Sequence, residues 1–320
     1  MIAYAVRRLV FALTLVFLVS SAGLMLVGLA PGDVTDELFA TGVSAETIAR
    51  ERARLGLDRP LVEQYAAWLG RVSRLDLGTS LRYQRPVRDL LAERIGFTAT
   101  LGAAALLLAT AIGLPLGVLA GSRRGWLPRI VRATSITVLS VPPLISALLF
   151  ALLAARTGWF PVSGFTPAPA GAGWLAAASN LAWHLTLPTL ALALPFAATI
   201  ERLQADATVS ALGEPHILAA RGRGMSDARL VWRHSLKPAL RPVAAIYGIV
   251  IGTLFSGSFA VEFVSGWPGL GRLMYDALTS RDIYLAAGCA AAGSLFLAVG
   301  TIVSDVALAS LDPRLRRQSS

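Results

Sequence analysis

The sequence is poor in charged residues, which make up only 15% of its 320 positions, whereas hydrophobic residues make up 55%. Soluble domains carry roughly 25% charged residues. A chain of this length could not bury so much apolar surface in one water-soluble core. The composition therefore excludes an ordinary soluble domain and indicates a protein that resides in a lipid bilayer.

Lysine and cysteine are nearly absent, since Lys237 and Cys289 are the single examples of each. One cysteine excludes a disulfide within the chain. A nucleotide-binding P-loop needs a lysine directly after glycine, and Lys237 follows Leu236, which excludes an ATPase of that type. The motifs Gly-x-Ser-x-Gly and His-Glu-x-x-His are missing as well. We therefore predict a protein that is not an enzyme and that binds no cofactor itself.

Histidine occurs three times, at His184, His216 and His234, and these positions are scattered near the ends of different apolar stretches. A structural or catalytic zinc site needs three or four such ligands close together, so we expect no metal site. The formal net charge of +10 comes almost entirely from arginines that flank apolar stretches. This placement favours contact with a membrane surface over binding to nucleic acid.

Six apolar stretches could each cross the hydrocarbon core, for which about 20 residues are needed. They are residues 9–30, 98–120, 133–155, 185–200, 243–261 and 284–311. The predicted fold is an all-α integral membrane protein with six transmembrane helices. Pro142 and Pro143 predict a break or kink in the third helix, and Pro188 and Pro195 predict that the short fourth helix is broken or tilted.

The orientation of the chain can be predicted from its arginines. The first apolar stretch follows Arg7 and Arg8 as a secretory signal would, but it exceeds the roughly 7–15 apolar residues of such signals, so we interpret it as a retained helix. The two short outer loops hold only Arg156, Arg272 and Arg281, whereas the inner segments hold many more arginines. Since positive residues stay on the cytoplasmic side, we expect both termini there.

A long outer insert, residues 31–97, carries ten arginines and ten acidic residues, and this balance indicates a small folded domain. Ser44 is placed to cap a helix that runs through Arg54, with Glu46 and Arg50 one turn apart on it and Gly56 as its stop. The chain is thus divided into residues 1–30, the insert at 31–97, a core at 98–311 that includes an inner loop at 202–242, and a tail at 312–320.

The inner loop between the fourth and fifth apolar stretches has the most informative pattern. A short helix is predicted to end at Gly222 and Gly224, and a second helix to begin with Ser226 as its cap and Asp227 in its first turn. The loop has an apolar surface, formed by Ile217, Leu218, Leu230, Val231 and Trp232, and a charged one, formed by Arg221, Arg223, Arg229 and Arg233. Taken alone, this pattern favours a surface hairpin of helices that rests on lipid headgroups.

The same loop resembles the cytoplasmic loop of binding-protein-dependent importer permeases, whose pattern is Glu-Ala-Ala, then glycine, then roughly Ile-x-Leu-Pro. Leu218-Ala219-Ala220 takes the first place and Gly224 the second. The stretch from His234 to Lys237 takes the third, although the leading glutamate and the final proline are absent. The form Ala220-Arg221-Gly222-Arg223-Gly224-Met225-Ser226 is similar to the dipeptide, oligopeptide and nickel branch of these ABC importer permeases.

The resemblance extends over nearly the whole chain, because further segments follow in the order and spacing of that branch. These are Ala30-Pro31-Gly32-Asp33, the segment from Leu55 to Leu61, the segment from Asp76 to Ser80, Gly113-Leu114-Pro115-Leu116-Gly117, Glu262 followed by Trp267-Pro268-Gly269-Leu270-Gly271, and Leu311-Asp312-Pro313-Arg314.

The resemblance implies a translocation subunit in the inner membrane of a bacterium. It would pair with a second, related permease and with two cytoplasmic ATPases that use ATP and Mg²⁺, and an extracytoplasmic binding protein would deliver the solute. The inner loop would act as a mechanical joint to the ATPases. The residues assigned to this joint are Glu214, Leu218, Ala219, Ala220, Arg221, Gly222, Arg223, Gly224, Ser226 and His234.

The remaining site predictions concern the pathway and the outer surface. Pro142, Pro143 and Ser146 could line the pathway, and Glu262 could be a gate or docking contact or simply a solvated helix end. Trp267, Pro268, Gly269 and Gly271 could meet the binding protein.

The solute itself stays open. Peptides are expected first, with nickel chelates, glutathione and opine-like sugars as alternatives within the family. A self-standing secondary transporter is the other class, although it would be expected to show buried charges near the middle of the membrane. Asp305 is the only charge inside a predicted span, where it could cap the helix, pair with Arg314 or reach toward the interface.

Overall fold

The computed structural model describes residues 2–32, 35, 43–74, 76–169 and 171–311. In these ranges the chain forms helices and no strand. The predicted features at Asp33 and in the tail at 312–320, including Asp312 to Arg314, lie outside them. In chain order the helices are α1 (Ile2–Leu29), α2 (Ala45–Leu55), α3 (Leu61–Val72), α4 (Val87–Ser122), α5 (Trp126–Leu139), α6 (Pro143–Thr157), α7 (Trp174–Leu212), α8 (Pro215–Gly222), α9 (Asp227–Ser265), α10 (Leu270–Thr279) and α11 (Ile283–Leu311).

Five of the described helices, α1, α4, α7, α9 and α11, are long and apolar enough to cross a membrane. The pair α5 and α6 passes the same test together and would make a sixth, bent span. The predicted all-α membrane fold is therefore confirmed.

The break between α5 and α6 lies where the two adjacent prolines were predicted to kink the third span. The two helices meet at 97°. Pro142 has an extended backbone, with φ −60° and ψ 148°, and Pro143 is the first residue of α6. A residue that precedes proline avoids the helical region, so Pro142 cannot continue α5 into α6. The predicted kink is confirmed and is a complete break.

The fourth span differs from the prediction. Pro188 and Pro195 both lie inside α7, a single helix of 39 residues that begins at Trp174 and continues past Ile200. The predicted break is wrong. Each proline removes one backbone hydrogen bond. Ending the helix in apolar surroundings would leave several more backbone groups unpaired, which favours a continuous helix.

The chain divides into two compact units. We call residues 1–8, 100–267 and 296–320 the core unit, and residues 9–99 and 268–295 the second unit. The predicted insert, 31–97, is part of the second unit. Its predicted helix is confirmed in detail, because the Ser44 hydroxyl accepts the backbone N–H of Thr47, Arg50 contacts Glu46 at 3.0 Å, and Gly56 closes α2 with φ 70°.

A buried carboxylate holds two loops of the second unit together. Asp282 is fully buried, and its Oδ2 accepts a 2.5 Å hydrogen bond from the Ser80 hydroxyl and a 3.1 Å bond from the backbone N–H of Arg82. Its Oδ1 accepts the N–H of Leu285 at 3.0 Å, at the start of α11. Hydrogen bonds from several donors are what make a buried carboxylate tolerable. Asp282 therefore fixes the loop that follows α3 to the turn before α11.

Three glycines spaced by four residues line one face of α4 in the core unit and pack against α7. A methyl group on Gly117 would lie 2.6 Å from both the Glu201 carbonyl oxygen and the Gln204 Cβ. Gly113 and Gly121 meet the same face of α7 with equally little space. Small residues at this spacing let two membrane helices approach with their backbones in contact. Close packing against α7 therefore explains why the 113–117 segment has glycine at both of its ends.

Candidate functional site

The predicted inner loop forms a short helix with a closed end. Helix α8 begins with Pro215 after Glu214 and ends at Gly222. Beyond it the chain turns back, since the N–H of Gly224 donates to the carbonyl of Arg221 at 2.9 Å and the N–H of Met225 donates to that of Ala220. Gly224 makes this turn with φ 83°, a conformation that favours glycine. The predicted helix, glycine break and second helix are all present.

A small apolar cluster fixes α8 to its neighbours. Ile217 and Ala220 of α8 pack with Leu230 of α9, and Leu212 and Met225 lie against them. The cluster therefore joins the short helix to the end of α7 and to the start of α9. Ala220, which was predicted to belong to the joint with the ATPases, packs its side chain into this cluster and helps to anchor α8.

The opposite face of α8 is open. The side chains of Leu218, Ala219, Arg221 and Arg223 are exposed, and so is Glu214 at the start of the helix. Leu218 is the largest apolar side chain among them and is 51% exposed. Arg221 forms an ion pair of 3.1 Å with Asp227. The exposed face thus combines one apolar residue, small residues and guanidinium groups.

The glycines at the end of α8 have free space around them. A methyl group on Gly222 or Gly224 would meet no atom of the chain within 4 Å. Glycine is therefore not needed there for packing within this chain. Gly224 is explained by its positive φ, and both positions leave the end of α8 accessible to another molecule.

Helix α9 begins differently from the prediction. Ser226 has the extended backbone of a cap, but its side chain makes no cap hydrogen bond, and its carbonyl instead accepts the N–H of Leu230. The next turn, Leu230–Ser235, is π-helical, and the half-buried His234 lies on it. Such turns are rare and occur often at functional sites. No sequence pattern predicted this π-helical turn. The turn joins the inner loop to the rest of α9 without interruption.

The predicted pathway residues lie near the break between α5 and α6. Pro142 is exposed, Pro143 is partly buried and Ser146 is buried in the first turn of α6. The outer face of α6 is apolar and exposed along its length, at Leu144, Ile145, Leu148, Leu149, Leu152 and Leu153. Their assignment to a pathway stays a prediction.

The predicted outer contacts are mostly buried. Glu262 is fully buried, so its interpretation as a solvated helix end is wrong. The Trp267 side chain is buried as well, and its N–H donates to the Glu262 carbonyl at the end of α9. Gly269 and Gly271 are also buried, which leaves Pro268 as the partly accessible member of the predicted docking set. Within the second unit, the Thr98 hydroxyl accepts the N–H of Leu270 at 2.7 Å and so caps α10.

Two further observations concern ionisable groups inside the apolar helices. Asp305 forms an ion pair with Arg8. Glu201 and Glu262 lie just beyond the predicted spans, within the continuing helices α7 and α9, and both are buried. The two glutamates were missed because hydropathy ends the spans just before them, whereas the helices continue. Among the described residues, no three His, Cys, Asp or Glu side chains lie close enough to hold a metal ion.

Known protein families and known proteins match this sequence over nearly its whole length. The family model described as binding-protein-dependent transport system inner membrane component matches residues 113–317, and the model of the N-terminal part of such membrane components matches residues 1–102. A putative peptide permease protein of Brucella ovis is 33% identical over 322 residues and covers 99% of both chains. A putative peptide transport system permease protein of Brucella abortus is 32% identical over 320 residues, again with 99% of both chains.

The glutathione transport system permease protein of Escherichia coli is 30% identical over 318 residues, with 99% of both chains covered. The family models together match most of the chain, and these relatives align with it from end to end. The apolar helices and the glycine-closed helix α8 stand where the resemblance in the sequence placed them. The chain is thus a multi-pass membrane protein that belongs to the dipeptide and oligopeptide family of ABC importer permeases.

Proposed function

We propose that this chain is one of two related permease subunits of an importer and that the exposed face of α8 is its contact with a cytoplasmic ATPase subunit. The observation that carries the proposal is the structure of this loop. One side of α8 is fixed inside the chain by Ile217 and Ala220, while Leu218 and Ala219 face outward and the end at Gly224 is open. A short helix that is anchored on one side and exposed on the other can insert its free face into the groove of a partner.

The cluster around α8 provides a physical route for coupling. Leu230 is the first residue of the π-helical turn, and α9, which is a candidate membrane span, continues from it without a break. A force on α8 therefore passes through packed side chains to the base of α9, and through Leu212 to the end of α7. Packed elements with two discrete arrangements can convert a small shift at one site into rotation of long helices.

The complex would contain two such ATPase subunits, which hydrolyse ATP with Mg²⁺, and an extracytoplasmic protein that delivers the solute. The names of the relatives, peptide permease and glutathione transport permease, support a peptide or a peptide-like thiol as the solute. Both termini of the chain and helix α8 would lie in the cytoplasm. Nickel chelates and opines are the alternatives within the same family, and the ligand of the binding protein would decide between them.

The substitution Gly224→Asp tests the contact. Aspartate tolerates the left-handed backbone better than most residues, and no atom lies near the position, so the chain itself should fold and insert normally. At a packed joint the added side chain should cost about 1–3 kcal/mol, which weakens a non-covalent assembly by about fivefold to more than a hundredfold. We expect weaker recovery of the ATPase subunits on co-purification and loss of uptake.

The matched control is Gly158→Asp. Gly158 also has a positive φ, of 68°, no neighbour within 4 Å and an exposed position after a helix, but it lies at the far end of α6. It should leave ATPase recovery unchanged. Equal recovery from both variants would mean that α8 rests on lipid headgroups and would refute the proposed contact.

A further inference from the structure

A cavity of about 90 Å³ lies between α5 and α7 in the core unit. Arg132 of α5 lines it together with Glu201, Arg202, Ala205 and Asp206 of α7. It is well above the size that a single ordered water needs. Its walls thus carry two guanidinium groups and two carboxylates around a space large enough for a small polar group.

Three of the four charged side chains, Arg132, Arg202 and Asp206, are exposed, whereas the fourth, Glu201, is buried. Glu201 is almost fully buried, and its Oε2 has no donor; the side-chain carbonyl of the buried Gln204, one turn further on, also lacks one. A buried carboxylate without a donor is strongly unfavourable. The buried carboxylate of Glu201 therefore calls for an N–H donor, and the exposed guanidinium groups of Arg132 and Arg202 at the same cavity can receive an anionic group.

The surroundings of the cavity indicate where this molecule comes from. Helix α5 exposes Trp126, Ile130 and Ile136 along the same helix as Arg132. Exposed tryptophan and aliphatic residues interspersed with arginine are typical of the headgroup region of a bilayer. Helix α7 is itself a candidate membrane span. The cavity is thus lined by a residue of a helix whose exposed side chains suit the headgroup region.

We propose that the cavity binds the headgroup of phosphatidylethanolamine, with the ammonium group at Glu201 and Asp206 and the phosphate at Arg132 and Arg202. An ethanolamine ammonium carries three N–H donors, which satisfy carboxylate oxygens by charge-assisted hydrogen bonds. A choline headgroup has no N–H, and a glycerol headgroup has no cation. The site therefore distinguishes lipids of similar size by hydrogen-bond chemistry. This inference is independent of the transported solute.

The test compares lipids added to the purified full-length chain in detergent micelles. Phosphatidylethanolamine should raise the thermal midpoint of the chain more than equal amounts of phosphatidylcholine or phosphatidylglycerol, because a ligand of the native state stabilises it. Bound phosphatidylethanolamine should be retained in native mass spectra. Glu201→Gln and Arg132→Gln should each weaken this retention about tenfold or more and remove the lipid-specific increment in midpoint.

The matched control is Arg129→Gln, one turn before Arg132 on α5, because Arg129 is also exposed but does not line the cavity. It should keep the increment. Equal stabilisation by phosphatidylcholine, or equal loss in the Arg129 variant, would overturn the proposal. A further arm adds the free dipeptide Ala-Ala to micelles without ethanolamine lipid. Stabilisation by the dipeptide that Glu201→Gln abolishes would assign the cavity to a soluble zwitterion and would also overturn it.

Discussion

The contact between α4 and α7 can be tested by adding a single methyl group at Gly117. In Gly117→Ala the new Cβ would lie 2.6 Å from the Glu201 carbonyl oxygen, short by about 0.8 Å of the 3.4 Å at which ordinary van der Waals contact begins. The oxygen belongs to the backbone of α7 and cannot rotate away. The two helices must therefore separate locally. Forced separation of a packed interface costs about 1–3 kcal/mol.

The control is Gly102→Ala on the same helix. A methyl group on Gly102 would meet nothing within 4 Å. Both substitutions gain about the same helix propensity, up to about 1 kcal/mol, so the difference between the two variants isolates the steric term. Gly102→Ala should be as stable as the original chain or slightly more stable, and Gly117→Ala should be less stable than Gly102→Ala by about 1–3 kcal/mol.

The measurement is unfolding of the purified chain in mixed micelles with increasing sodium dodecyl sulfate, followed by tryptophan fluorescence. Coincident midpoints for the two variants would refute the close helix contact. Close packing against α7 would then no longer explain why glycine occupies positions 113, 117 and 121.

Two further predictions concern the second unit and the topology. Asp282→Ala removes three hydrogen bonds from a buried site and should lower the free energy of unfolding by about 3–5 kcal/mol. Asp276→Ala removes one exposed hydrogen bond to Tyr83 and should cost about 1 kcal/mol or less. Thermal unfolding in micelles compares the two variants, and equal losses would contradict the role of Asp282. In a cysteine-free background, Ala66→Cys should react with an impermeant thiol reagent outside sealed cells and Arg124→Cys should not; both positions are exposed, so the reverse pattern would invert the orientation.

The sequence was sufficient for the features that depend on local patterns. Apolar length predicted the membrane helices, adjacent prolines predicted the break before α6, and Ser44 and Gly56 predicted both ends of α2. These signals act within a few residues of the chain, so no knowledge of packing is needed to interpret them.

Features set by tertiary contacts were missed or misassigned. Hydropathy placed the end of the fourth span at Ile200, although α7 continues, sets the Glu201 carbonyl against Gly117 of α4 and buries the Glu201 side chain. The segment after α9 was predicted to meet the binding protein, and the sequence did not show that Trp267 would be buried or that the N–H of Leu270 would be bound by Thr98. One signal was available, because glycines four residues apart in an apolar helix predict a close helix contact.

Membership of the importer family leads us to expect that this chain transports only as part of an ATP-driven assembly. The decisive experiment purifies the tagged chain from its own membranes in mild detergent, identifies the proteins that accompany it, and assays ATP hydrolysis and solute uptake after reconstitution. We predict that a second permease and ATP-hydrolysing subunits co-purify and that uptake requires both ATP and the extracytoplasmic binding protein. Uptake by the chain alone, driven by an ion gradient without ATP, would contradict this expectation.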